Sequence, residues 1–344
     1  MKSFVRLLAV SALVSVAAAA CGAASAEGNR IRIGYPSAGA LINGQVGTVL
    51  ANTDILEKNG LAAEVVPFLY GSQMQEALLA GKIDIALTSE ANFVNLAAKF
   101  PCKMIATLGS AGRIAIMVRE DSPVKKVEEL KGKTVATVFG TSAHYPAVQW
   151  VLKAGLSPGK DVQVVHMAAA EGRAALVKGD IDAIVIWDPF VEDFVQKKAA
   201  RVLDANPSFF TTTVASAEFL KNSPQTAVKF LVALQQAALY MARNHALVNG
   251  WLAKTMGVSA GLIDKGSSYN AAYSKARRLG DIDLVPGQDL TLRLEQIAHF
   301  NVTSKLLKER SPVKENTDVS FVKAARAKAL AGRFDPAGVT IKEK

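Results

Sequence analysis

Short apolar runs alternate along the chain with longer stretches whose apolar positions recur every three or four residues. IRIGYPS (31–37) reads as a strand, a helical pattern follows near 44–58, and AEVVPF (63–68) reads as a second strand. TVATVF (134–139), a helical stretch near 142–154 and VQVVHM (162–167) repeat that order. The repetition is closest in two segments. With Gly81 laid over Gly179, EALLAGKIDIALTSE (76–90) falls on AALVKGDIDAIVIWD (174–188) at a constant offset of 98 residues. Each segment holds a helix end, a glycine in C-cap position, an Ile-Asp step and a strand of buried type. Strands alternating with helices predict parallel sheets covered on both faces, so the chain reads as two similar α/β lobes.

Between the lobes lies RIAIMVRE (113–120), followed by a turn at Asp121-Ser122-Pro123 and a short helix at VEELK. SFFTTTVAS (208–216), rich in β-branched residues, is again strand-like. These two strands are expected to connect the lobes in both directions, with a hinge near 113–118 and 211–216. From about Pro224 to Arg333 the pattern is helical, as in VKFLVALQQAALYMA. The expected division is a leader at 1–26, the first part of lobe 1 at 27–113, lobe 2 at 114–213, and a return to lobe 1 with C-terminal helices at 214–344.

Length fits this division, because 344 residues exceed the roughly 250–300 at which a single core stops growing. The leader has Lys2 and Arg6 ahead of LLAVSALVSVAAAA and ends at Ala24-Ser25-Ala26, the pattern of a secretory signal cleaved after Ala26, which makes the expected location periplasmic. AAACG (18–22) also resembles a lipoprotein box, which would make Cys21 a lipid anchor. Only Cys102 then remains, which excludes an internal disulfide framework. Formal charge is +10, or +8 once Lys2 and Arg6 are removed with the leader. Much of the excess sits in KARR (275–278) and KAARAKALAGR (323–333), which lack the interleaved aromatics of a nucleic-acid surface; no nucleic acid is expected as partner.

In open parallel sheets, ligands sit beyond the carboxyl ends of strands. Four loops fall there: YPSAG (35–39) with Ser37 and Ala38, TSEAN (88–92), GTSAHY (140–145) and WDPF (187–190). Turn and cap chemistry alone would account for each, yet two come from each lobe, so facing lobes would bring all four to one cleft. GTSAHY places hydroxyls where a strand hands over to a helix whose first N–H groups lack partners, as a cap or as an anion site. No Gly-Lys-Ser/Thr follows, so it is not a nucleotide phosphate loop, and no G-x-S-x-G elbow is present. Ser142 and His144 are too close together at a helix start to form a hydrolase triad with Asp188. His144, His166, His245 and His299 lack metal spacing, so neither a metal nor catalytic residues are expected.

GTSAHY followed by KAGL, GDIDAIVIWDP (179–189) and SQMQEALLAGKIDIA (72–86) together resemble the periplasmic substrate-binding proteins of ABC importers for nitrate, taurine and aliphatic sulfonates. The resemblance covers about residues 30–300. It implies the two-lobed periplasmic binding protein fold of type II: two parallel-type sheets joined by two crossing strands, with a helical C-terminal segment on lobe 1, closing over a small anion. It implies a monomer that hands a small-molecule anionic ligand to an ABC permease, without a cofactor. By position the anion-binding turn falls on Gly140, Thr141, Ser142 and His144, the first-lobe loops on Ser37, Thr88 and Ser89, and an aromatic wall on Trp187. Glu90 departs from the small residues of sulfonate binders. An enzyme on the same fold resembling pyrimidine-precursor synthases, a binder of a pyrimidine-like heterocycle and a receptor's sensing domain are the alternatives. The offset makes Glu90 and Asp188 equivalent, facing each other across the cleft. Either the ligand carries an amino or ring N–H group to meet them, or Asp188 caps the helix at Pro189 and Glu90 pairs with an arginine such as Arg113.

Overall fold

A computed structural model describes residues 29–206, 209–267 and 271–343. The expected leader and Cys21 lie outside the described residues. The first lobe alternates β1 (Arg30–Pro36), α1 (Leu41–Asn52), α2 (Ile55–Lys58), β2 (Ala62–Phe68), α3 (Gly71–Leu79), β3 (Ile85–Ser89), α4 (Glu90–Ala97) and β4 (Cys102–Ala106). The second has β5 (Ile114–Arg119), β6 (Thr134–Thr137), α5 (His144–Lys153), β7 (Gln163–His166), α6 (Ala169–Lys178), β8 (Ala183–Trp187), α7 (Phe190–Gln196) and β9 (Ala200–Asn206). VEELK makes one 3-10 turn, Val127–Leu130. After β10 (Thr211–Ser216) come α8 (Ala217–Asn222), α9 (Pro224–Arg243), α10 (His245–Met256), α11 (Ala260–Ser267), α12 (Ala271–Ser274), α13 (Gln288–Thr303) and α14 (Ser320–Ala331).

The internal repeat is structural. β3 and β8 stand at the same offset, and Gly81 (φ 61°) and Gly179 (φ 85°) both adopt the left-handed conformation that ends the preceding helix. The two Ile-Asp steps do one job: Asp84 accepts the backbone N–H of Arg32 in β1 at 2.8 Å, and Asp182 that of Thr134 in β6 at 2.9 Å. Each carboxylate thereby ties the start of one strand to its parallel neighbour, β3 to β1 in the first lobe and β8 to β6 in the second.

The sheets run β2-β1-β3-β10-β4 and β7-β6-β8-β5-β9, one pattern used twice. They are mixed rather than parallel, which corrects the expectation. β10 is antiparallel to β3 and β4, and β5 to β8 and β9, while β1–β3 and β6–β8 keep parallel pairing. The reason is geometric: β4 and β9 leave their lobes at the cleft end, so the strand that follows enters the other sheet from that end and runs reversed.

The same pairing bears on the expected hinge. The segments expected to bend, 113–118 and 211–216, are laddered into the middle of the sheets, where bending would break the pairing on both sides. The crossings lie between the strands and run side by side, with Ser110 bridged to Phe210, the Ala111 N–H on Phe209 O at 2.6 Å and the Thr211 N–H on Gly109 O at 2.9 Å.

The C-terminal helices pack on the first lobe: α9 and α10 on α1, α13 on α4, and α14 on α9 and β4. α11 also touches α7 of the second lobe, with Gly266 against Asp188 and Pro189. Among the described residues no helix is long and apolar enough to cross a membrane.

Candidate functional site

The carboxyl ends of β1, β2 and β3 face those of β6 and β8 across the cleft and enclose a cavity with about 320 Å³ of empty space. The end of β1 supplies Pro36, Ala38, Gly39 and Ala40; the end of β2 supplies Tyr70 and Gly71, with Met74 one turn into α3; the end of β3 supplies Thr88 and Ser89, with Asn92 on α4. Opposite them stand Thr141 and Ser142 before α5, and Trp187 at the end of β8. Gly39 (φ 113°) lies so close to Trp187 that a Cβ would sit 2.2 Å from the indole nitrogen, so only glycine admits the ring here.

Four helices begin at this cavity. α1, α3 and α5 do so without a side-chain cap, while Ser89 caps α4 and donates its hydroxyl to Asn92 Oδ1 at 2.6 Å. Helix starts carry partial positive charge and unpartnered N–H groups, and among the described residues no charged side chain lines the cavity to oppose them. Two further donors have no partner although both are buried: the Thr88 hydroxyl and the Trp187 indole N–H. Unpaired buried donors cost about 1–3 kcal/mol each, so a group that accepts from them is favoured there.

The lobes touch around the cavity. Asn92 Nδ2 donates to Gly140 O at 2.6 Å, the Ala169 N–H donates to the Tyr70 hydroxyl at 3.1 Å, and the Tyr70 and Trp187 rings meet edge to face at 6.1 Å. The structure therefore shows the two lobes closed on each other.

Of the residues expected at a site, Ala38, Thr88, Ser89, Thr141, Ser142 and Trp187 line the cavity. The others lie around it. Ser37 donates to Phe68 O at 3.0 Å and braces β1 on β2; Gly140 offers its carbonyl to Asn92. His144 stacks on Phe139 at 4.3 Å, and burial pushes its imidazole down to about 4. Glu90 and Asp188 do not meet across the cleft. Asp188 takes Arg113, Nη2 to Oδ1 at 3.1 Å and Nε to Oδ2 at 3.3 Å, and its carboxylate also accepts from the Glu192 backbone N–H in the first turn of α7. Glu90 takes Arg293, Nε to Oε1 at 3.1 Å, and accepts the Phe210 N–H at 3.1 Å; Arg113 is not its partner. Burial raises the pKa of both carboxyls and the arginines pull them back. Among the described residues no cluster of His, Cys, Asp and Glu could hold a metal ion.

Sequence reasoning missed Tyr70, Gly71, Met74 and Asn92. Asn92 stood inside TSEAN, and LYGSQ (69–73) occupies the end of β2 as the other loops occupy theirs, so the strand-end rule could have found both.

Over 201 residues the chain is 34% identical to an Escherichia coli K12 protein described as an aliphatic sulfonates-binding protein, a match spanning 57% of this chain and 60% of that one. A Bacillus subtilis protein of the same description is 25% identical over 350 residues, 96% of this chain and 98% of that one. The crystal structure of the periplasmic aliphatic sulphonate binding protein from Escherichia coli superposes with a TM-score of 0.64 at 25% identity, covering 84% of this chain and 91% of that one. A desulfurization enzyme shares the fold, with a TM-score of 0.64 at 15% identity over 87% of this chain and 99% of that one. The family model described as NMT1/THI5 like matches residues 54–246, more than half of the sequence, and the chain belongs to that family.

Proposed function

We propose that the protein is a periplasmic solute-binding component that captures a small organic anion of the sulfonate kind and delivers it to an ABC permease in the membrane. The observation that carries this reading is the pair of unpartnered donors, Thr88 Oγ1 and Trp187 Nε1, in a cavity where four helices begin and, among the described residues, no charged side chain stands. Fixed neutral donors replace the water around an anion with little ordering, and each hydrogen bond to a charged group contributes about 1.5–3 kcal/mol. Tyr70, Met74 and Trp187 offer an apolar wall to a short hydrocarbon tail. Glu90 and Asp188 already hold Arg293 and Arg113, so among the described residues at the cleft neither carboxylate is left for an ammonium group. The ligand is then amine-free, unlike taurine.

The desulfurization enzyme makes catalysis on this fold conceivable, but the lining side chains offer hydroxyls, an amide, a phenol and an indole without an adjacent base, a set suited to holding a ligand. The relatives described as sulfonate-binding support transport over synthesis of a pyrimidine precursor, and the periplasmic location follows theirs.

Thermal unfolding with ethanesulfonate, taurine, nitrate and orotate tests the reading. Ethanesulfonate at 100 times its dissociation constant should stabilise the protein by about 2.7 kcal/mol, with taurine far weaker. Equal effects of taurine and ethanesulfonate would overturn the amine-free reading, and orotate binding alone would overturn the sulfonate reading.

A further inference from the structure

Tyr145, in the first turn of α5, belongs to the second lobe by sequence and to the first by packing. It is 5% exposed and sits in an apolar cluster with Met74, Phe93, Leu290 and Leu294, all of the first lobe and its C-terminal helices. Its ring meets Phe300 edge to face at 4.9 Å, and the Arg293 guanidinium lies 5.5 Å from its centroid. Among the described residues it is the one second-lobe member of that cluster. Separating the lobes would withdraw this ring into water.

Glu90 makes this contact more than local packing. Its Oε1 accepts from Arg293 Nε and so fixes the guanidinium beside the ring, while Oε2 accepts the Phe210 N–H and its own N–H donates to Phe210 O at 2.9 Å. Phe210 is the residue bridged to Ser110 where the two crossings run side by side. Ser89, next to Glu90, lines the cavity, and Ser142 lines it three residues before Tyr145. One carboxylate thus joins a cavity loop, the crossing and the surface that receives the opposite lobe.

We propose that Tyr145, seated on Arg293 and Glu90, is a latch that sets how much of the protein is closed and through this sets ligand affinity without touching the ligand. The proposal rests on the binding reading above. Apparent affinity scales with the fraction of molecules in the binding-competent closed state. Exposing a large aromatic ring on opening, together with loss of its cation contact, should shift that fraction roughly tenfold to a hundredfold.

Spin labels at Lys82→Cys and Lys178→Cys, both exposed and one on each lobe, report lobe separation by pulsed EPR in the full-length mature protein. In Tyr145→Ala the ligand-free distances should shift outward. Ethanesulfonate should bind roughly tenfold to a hundredfold more weakly, chiefly through faster dissociation. Arg293→Lys keeps a charge for Glu90 but loses the flat guanidinium face and should fall between, and Tyr145→Phe should behave as wild type. Unchanged ligand-free distances in Tyr145→Ala, or an affinity loss without an outward shift of those distances, would overturn the latch. If ethanesulfonate does not bind the wild-type chain, the ligand reading falls by itself. The ligand-free distances then decide the latch alone, and no outward shift in Tyr145→Ala overturns it.

Discussion

Trp187 Nε1 and Thr88 Oγ1 are donors without acceptors at positions 3% exposed. That state has opposite consequences for stability and for binding. Replacing Thr88 with Val removes an unsatisfied hydroxyl and keeps the shape, so the ligand-free protein should unfold at the same denaturant concentration or a higher one. Ethanesulfonate should bind more weakly by about 1.5–3 kcal/mol. Trp187→Phe should show the same pair of effects less cleanly, because the smaller ring also leaves space. Chemical denaturation and calorimetric titration separate the two quantities, and a Thr88→Val variant that binds as wild type would place the hydroxyl outside the ligand's reach. His144 carries the other residue-scale prediction. Its imidazole falls from 6.5 to about 4 because burial disfavours the charged form and His166 adds like charge. Between those values the unfolded chain takes a proton that the folded one refuses. Stability is therefore fully present above about pH 6.5 and is lost as pH falls toward 4, by about 3 kcal/mol for this group. Glu90 and Asp188, with raised values, work in the opposite sense, but they remain in a His144→Gln variant and cancel in the difference. The variant should lose less stability than wild type between pH 6.5 and 4.5 in urea unfolding, and parallel curves would show that His144 titrates as in a peptide.

Among elements, the strands and the helices behind them were legible because periodicity and end signals are local. GKIDIA and GDIDAI each announce a left-handed glycine, a strand-tying aspartate and a buried strand, and the structure uses all three in both lobes. The strand-end rule brought Thr88, Ser89, Thr141, Ser142 and Trp187 to one cavity from positions up to 99 residues apart. The reversal of β5 and β10 was not legible, since a strand's direction within a sheet depends on the edge from which the chain enters, and no residue type encodes that. For the same reason β5 read as a connector although it is laddered on both sides. The partners of Glu90 and Asp188 were half legible. Burial next to a strand end demands a cation, and arginine was expected; that Arg293 supplies it depends on α13 folding back over α4 from 203 residues away, which no local pattern records.

At the scale of the whole molecule, the two lobes share two crossings and a cavity whose walls come from both sides. The named hydrogen bonds between lobes near the cavity are few, chiefly Asn92 to Gly140 and Ala169 to Tyr70, and both involve residues at or beside the cavity. A bound anion that accepts from Thr88 in one lobe and Trp187 in the other adds ties of the same kind and moves the equilibrium toward the closed form by its differential affinity. Rotation should occur at 107–113 and beside Phe209 and Phe210, where the crossings run side by side between the ladders of the two sheets, leaving β5 and β10 rigid in their lobes. Small-angle scattering should therefore give a smaller radius of gyration with saturating ethanesulfonate than without it. Hydrogen exchange at Ile116, laddered within β5, should be slow in both states, while exchange at Ala111, whose N–H crosses to Phe209, should slow only with ligand. A radius that stays the same at proven saturation would mean that the cavity is preformed and rigid. Protection of Ala111 without ligand would then follow, because a crossing that never bends has no reason to open.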